Sequence, residues 1–154
     1  MHQKLLQTLA GLACCTFGMS ALGHDSTAHY MANEGLMVEH GDTKILFDPL
    51  FRNSYGQYLL LPEEMEQALF AGVAPYDGVD AIFVSHHHGD HFSPSDMVRL
   101  LREQPNIKLY APNQAVIAMR SESGNSDADL FDRVTGVSLE YKDAPVALSM
   151  EGLQ

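Results

Sequence analysis

Residues 85–92 read Ser-His-His-His-Gly-Asp-His-Phe, and five of these eight side chains are imidazoles or a carboxylate. Neutral imidazole and ionised carboxylate are the ligands of zinc-like divalent ions. The chemistry on offer is therefore the binding of zinc-like metal ions. The spacing suits it. His86 and His88 are two apart, and extended backbone puts such a pair on one side. Gly89 allows a tight bend. Asp90 and His91 can then face back toward the same point. One or two ions could be held there. The competing reading of the same residues is a solvated His-rich loop that picks up metal adventitiously.

Such a cluster needs elements that deliver it. Residues 79–84, Val-Asp-Ala-Ile-Phe-Val, are β-branched and aromatic and read as a buried strand. A strand running into a turn presents its last side chains at a sheet end, where active sites sit. Upstream, residues 35–40 and 43–48 are strand-like, with Gly41-Asp42 between them as turn chemistry. Asp48-Pro49 closes the second strand, because proline cannot continue a ladder. Residues 51–61 mix aromatic and polar side chains and read as a long loop near the site, part of a substrate wall. Residues 62–70 open on proline, carry three acids and meet Gly72, which predicts a helix.

After the motif, Ser93 and Asp96 form a helix start, with Met97, Val98, Leu100 and Leu101 as its apolar stripe. A short strand at 107–110 and a helix from Pro112 to Met119 follow. Residues 122–129 read as a polar loop. Residues 137–141 and 146–150 alternate and read as a hairpin. Strands alternating with helices mean an α/β domain.

At the motif the chain resembles the metallo-β-lactamase superfamily, whose hallmark is His-x-His-x-Asp-His at a strand end. His86, His88, Asp90 and His91 match it position for position, and His87 and Gly89 fall on the variable positions. The first hairpin ending in Asp48-Pro49 resembles the lactonase-like branch. The resemblance implies an αββα sandwich, two mixed sheets face to face with helices outside. It implies zinc, one or two ions, with other divalent metals also accommodated. His86 and His88 would hold the first ion. Asp90 and His91 would hold the second, with Asp90 also orienting the nucleophile as the catalytic residue. Asp48 would support the site by hydrogen bonding rather than by touching the ion. The electrophile would be an ester or lactone, or a related thioester, β-lactam or phosphodiester, in a small-molecule substrate.

The resemblance covers residues 33 to 150, which corresponds to the N-terminal half of the family domain. The family takes a further histidine, a bridging aspartate and a last histidine from later segments. No histidine follows His91 here. Asp127, Asp129 and Asp132 are acids without the family context. The implied chain is therefore a weakly active hydrolase with an incomplete site. The alternative is a non-catalytic metal-binding remnant, or a fragment of a longer hydrolase. Half a sandwich would also leave an apolar sheet face exposed, which suits pairing of two copies.

The 154 residues are 45% hydrophobic, enough for one domain with a core. The formal charge of −11 excludes a basic nucleic-acid footprint. Residues 1–23 start with Lys4, continue apolar and small, and end Ala21-Leu22-Gly23, the pattern of a secretory signal. The expected layout is a signal peptide at 1–23, an N-terminal arm at 24–32 and the partial domain at 33–154. The product would be exported, periplasmic or secreted, without stable membrane insertion once the segment is removed. Cys14 and Cys15 both lie in that segment, so the mature chain would have no thiol ligand or disulfide.

Overall fold

A computed structural model of the chain describes residues 26–138, 143–145 and 147–148. The signal-like segment at 1–23 and half of the hairpin read at 137–150 lie outside the described residues. No helix among the described residues is long and apolar enough to cross a membrane.

Six strands form one sheet in sequence order: β1 (Ser26–Ala32), β2 (Gly35–His40), β3 (Thr43–Phe47), β4 (Ala81–Phe83), β5 (Lys108–Pro112) and β6 (Val134–Val137). β1, β2 and β3 pair antiparallel; β3 to β6 pair parallel. The parallel crossovers run through α1 (Glu63–Ala71), α2 (Pro94–Glu103) and α3 (Asn113–Glu122). All three crossovers step the same way along the sheet. Right-handed connections therefore put the three helices on one face.

Period-two alternation decides what each face holds. Met37, Leu46, Ile82 and Leu109 lie side by side in register and are each at most 1% exposed. They meet Leu69 of α1, Met97, Leu100 and Leu101 of α2, and Ala115 and Met119 of α3 in one core. The neighbouring residues face the other way. Phe47, Phe83 and Tyr110 are in register and stack, with ring centroids 5.5 and 4.9 Å apart. Phe47 remains 38% exposed. The described residues thus form one sheet and one helix layer, half of the four layers the resemblance implies.

Three segments differ from the sequence reading. The polar arm expected at 24–32 is in fact strand β1 from Ser26 to Ala32, on the sheet edge. It has no apolar alternation to betray it, because its first five residues are exposed on both faces. Its pairing with β2 supplies the order, helped by the hydroxyl of Thr27 donating to Glu39. The polar loop expected at 122–129 is largely a 3₁₀ segment, Asn125–Arg133. Arg102 of α2 holds Asp127 there, and Leu130 is buried beneath it. The Arg133 guanidinium donates to the carbonyls of Leu101 and Gln104 at the open C-terminal end of α2, and to that of Ile107 just before β5. β6, Val134–Val137, is a strand that the sequence reading did not predict; most of the strand expected at 137–141 lies outside the described residues.

Candidate metal centre

The parallel strands end at a common edge, and that edge carries the site. Asp48 follows β3. Ser85 and His86 follow β4. Regular pairing of β4 stops where the Val84 amide donates to the Tyr110 carbonyl. Beyond it the backbone is no longer a pleated strand. The amides of His91 and Phe92 both donate to the His88 carbonyl, at 3.0 and 2.9 Å, closing a tight turn over Gly89. Three outside groups fasten this turn. The amides of Arg52 and Asn53 donate to the Gly89 carbonyl at 3.2 and 2.9 Å. The Asn33 side chain donates to the Asp90 carbonyl at 2.8 Å. Gly89 lies so close to Asn53 that an added Cβ would sit 3.1 Å from the Asn53 Cβ. Close backbone approach, as well as bending, favours glycine here.

The loop at 51–61 is anchored in turn. Arg52 donates through Nε to Asp96 at 2.5 Å and through both terminal nitrogens to Glu66 at 2.8 Å. Partial burial works against the charge on Asp96. Hydrogen bonds from Arg52 and Ser93 outweigh that and hold its carboxyl below the ordinary carboxylate value. Ser93 does occupy the N-cap position of α2, but its hydroxyl donates to Asp96 at 2.6 Å instead of accepting a helix amide.

The imidazoles gather on the exposed side of the turn. His86 Nε2 and His88 Nδ1 are 2.7 Å apart, and their ring centroids 4.1 Å. The His87 ring is with them, 5.2 Å from His86 and 4.6 Å from His88. One ligand nitrogen from each of these three lies within 4.8 Å of the others; among the described residues no other group of three or more such side chains does so. His91 has its ring centroid 5.6 Å from His86. Asp90 has a carboxylate oxygen 3.9 Å from His91 Nε2. So the residues singled out from sequence stand in two adjoining groups: His86 with His88, and His91 with Asp90. His87, which fell on a variable position of the motif, stands with the first.

Beneath the rings is Asp48, only 3% exposed. One carboxylate oxygen accepts the Ser85 amide at 2.7 Å. The other accepts the Ser85 hydroxyl at 2.5 Å and faces His91 Nδ1 at 3.0 Å. An acceptor on Nδ1 puts the proton there and leaves Nε2 with its lone pair outward, the tautomer a metal requires. Asp48 holds this place with φ at 41°, in the left-handed region that aspartate tolerates better than most residues. Its amide donates to the Phe83 carbonyl at 3.0 Å, which ties the end of β3 to the end of β4. Loss of hydration lowers the pKa of the His86 ring, and charge on His88, His87 and His91 lowers it further, against Asp90. That favours the neutral ring, the form that binds a metal ion.

The donor set therefore suits a divalent ion: clustered imidazole nitrogens, a carboxylate beside them, and a buried acceptor fixing one tautomer. A cleft of about 410 Å³ opens beside His86 and His87. Phe83, Tyr110 and Leu148 give it an apolar wall, and Ser85 and Gln114 give it polar groups. Ser85, Asn33 and the amides at 52–53 carry no signal in the motif. Their contacts join residues far apart in the chain, and only the fold shows them.

The family model of the metallo-beta-lactamase superfamily matches residues 35–146, which span the first hairpin, the motif and β6. The chain belongs to the metallo-β-lactamase superfamily. It is similar to the UPF0173 protein YddR of Bacillus subtilis, 30% identical over 111 residues that make up 67% of this chain and 42% of the relative. It is also similar to a UPF0173 metal-dependent hydrolase of Aeropyrum pernix, 30% identical over 131 residues, 81% of this chain and 47% of the relative. The chain spans about half the length of these curated relatives. Among solved structures it resembles the metallo-beta-lactamase fold protein YhfI of Bacillus subtilis, with a TM-score of 0.43 and 17% identity. That match covers 80% of this chain and 44% of the other.

Proposed function

We propose that the protein is a metal-dependent hydrolase whose ion, zinc, sits over the turn at 86–91. The observation that carries the reading is the convergence of His86 and His88 beside a His91 whose Nδ1 is held by buried Asp48. Zinc bound there would supply a Lewis acid and a water acidified to near-neutral pKa. The chain's own residues do the rest. His86 and His88 present nitrogens at the strand end. Asp48 and Ser85 fix the orientation of His91. Asp90, whose carboxylate lies beside His91 Nε2, is placed to hold and orient a water molecule. The cleft beside the rings, polar at Ser85 and Gln114 with one apolar wall, suits an ester or lactone whose hydrocarbon portion packs against Phe83 and Tyr110. A UPF0173 metal-dependent hydrolase among the relatives supports the same reaction type.

The test is turnover of a panel of lactone, thioester, β-lactam and phosphodiester substrates by the purified chain, with zinc and after chelation. The expected result is weak turnover of a lactone or ester that needs zinc and disappears with chelator. The weakness follows from ligand count, since no histidine follows His91 in these 154 residues. The same fact favours a second reading, a metal-binding protein without catalysis. Zinc binding with no turnover of any substrate in the panel would select it.

A further inference from the structure

We propose that Gln114 sets substrate specificity, by hydrogen bonding a hydroxyl on the acyl part of an ester held in the cleft beside His86 and His87. The inference rests on the hydrolase reading and names a substrate class within it, hydroxyacyl esters. The cleft, about 410 Å³, lies outside the carboxyl ends of β4 and β5, where an open parallel sheet places its ligands. Phe83 and Tyr110 give it a flat wall, their rings stacked 4.9 Å apart and 12° from parallel.

Such a wall packs a hydrocarbon chain, but an apolar surface discriminates poorly between a chain and its hydroxylated analogue. That choice needs a polar group free to bond. The Ser85 proton is committed to Asp48 at 2.5 Å. Gln114 has no such tie: among the described residues its side chain makes no hydrogen bond. Its carboxamide offers two donors and an acceptor without charge. A hydroxyl, which both donates and accepts, is a matching partner. The formal charge of −11 works against an anionic substituent in its place.

The fold fixes where this carboxamide starts. Gln114 is the second residue of α3, and Ala115 beside it is fully buried in the core. Gly136 of β6 lies so close to α3 that an added Cβ would collide with the Asn113 side chain. The first turn of α3 is therefore clamped between core and sheet. The Gln114 side chain itself is exposed, so its end can turn toward a bound group. Ser138 also lines the cleft, but on the segment after β6, with no core residue anchoring its neighbours in this way. A fixed backbone carrying a free carboxamide is what a specificity contact requires.

The experiment compares nitrophenyl esters of straight-chain acids hydroxylated at the third, fourth or sixth carbon, each with its unsubstituted parent. The full chain with zinc is set against Gln114→Met, which keeps the length of the side chain, and Gln114→Ala. Because Gln114 is exposed, both variants should melt as the unaltered protein does. The unaltered chain should favour at least one hydroxylated ester in kcat/KM by roughly threefold to tenfold, the effect of one hydrogen bond. In both variants that ratio should fall to near one. An unaltered chain that hydrolyses the esters without preference, or a preference that persists in both variants, would overturn the role of Gln114 and leave the hydrolase reading standing. A second measurement needs no turnover. Titrating the metal-free chain with the matching methyl esters should shift the ¹⁵N–¹H signals of the Gln114 carboxamide with a hydroxylated ester and not with its parent. That shift without hydrolysis of any ester would uphold the contact and sink the hydrolase reading; its absence with every hydroxylated ester would overturn the contact.

Discussion

Replacement of His88 by alanine is expected to abolish zinc binding. His88 is the nearest ring to both of its cluster neighbours, with centroids 4.1 Å from His86 and 4.6 Å from His87. Its Nδ1 lies 2.7 Å from His86 Nε2, so its removal dissolves the tightest pair in the site. The turn itself should survive. It is built on the His88 carbonyl, which accepts the amides of His91 and Phe92, and alanine keeps that carbonyl. The ring is also exposed, so the metal-free variant should match the unaltered protein within about 0.5 kcal/mol. The two effects separate in one instrument. Thermal melts without metal should coincide. Melts in excess zinc should rise for the unaltered protein alone, because a ligand that binds only the folded state stabilises it in proportion to its binding. A zinc-dependent rise of equal size in His88→Ala would place the ion elsewhere.

Asp48→Ala should damage both the fold and the site. The lost carboxylate accepts the Ser85 amide and the Ser85 hydroxyl and faces His91 Nδ1, from a position 3% exposed. Truncation leaves those donors without a partner in a place water scarcely reaches. Hydrogen bonds to a charged group contribute about 1.5–3 kcal/mol, and denaturant unfolding should show a loss of that order. Alanine also tolerates the left-handed backbone at this position less well than aspartate does. Zinc affinity should fall by roughly 10–100-fold, since the tautomer and direction of His91 are no longer set. Asp48→Asn distinguishes the two losses. The amide oxygen can still accept the Ser85 amide, so stability should largely return. Asparagine carries no charge to hold a proton on His91 Nδ1, so zinc affinity should stay low. Full zinc affinity in Asp48→Asn would show that the carboxylate serves the fold alone.

The difference between what the sequence and the structure reveal has physical causes. Apolar periodicity was readable wherever a face is buried. Leu46, Ile82 and Leu109 mark the core strands, and Met97, Leu100 and Leu101 mark α2. β1 was not readable, because an edge strand exposed on both faces has no period to show. The 3₁₀ segment was hidden for a related reason: polar residues hold it, through the pairing of Arg102 with Asp127. At the site, His86, His88, Asp90 and His91 announce themselves by type and spacing, and Asp48 by the proline that follows it. The posts that hold the turn do not. Asn33 reaches Asp90 across 57 residues, and Ser85 meets Asp48 across 37. His87 falls on a variable position of the motif, and only the structure shows its ring beside His86 and His88, beyond the point where β4 stops pairing.

The central claim is that the turn at 86–91 holds a divalent ion through imidazole nitrogens. The most direct measurement is zinc X-ray absorption on the full chain loaded with one equivalent of zinc. The expected spectrum has nitrogen and oxygen neighbours at about 2.0–2.1 Å, with the outer-shell scattering pattern of at least two imidazole rings. A spectrum with oxygen neighbours only and no imidazole scattering would contradict it.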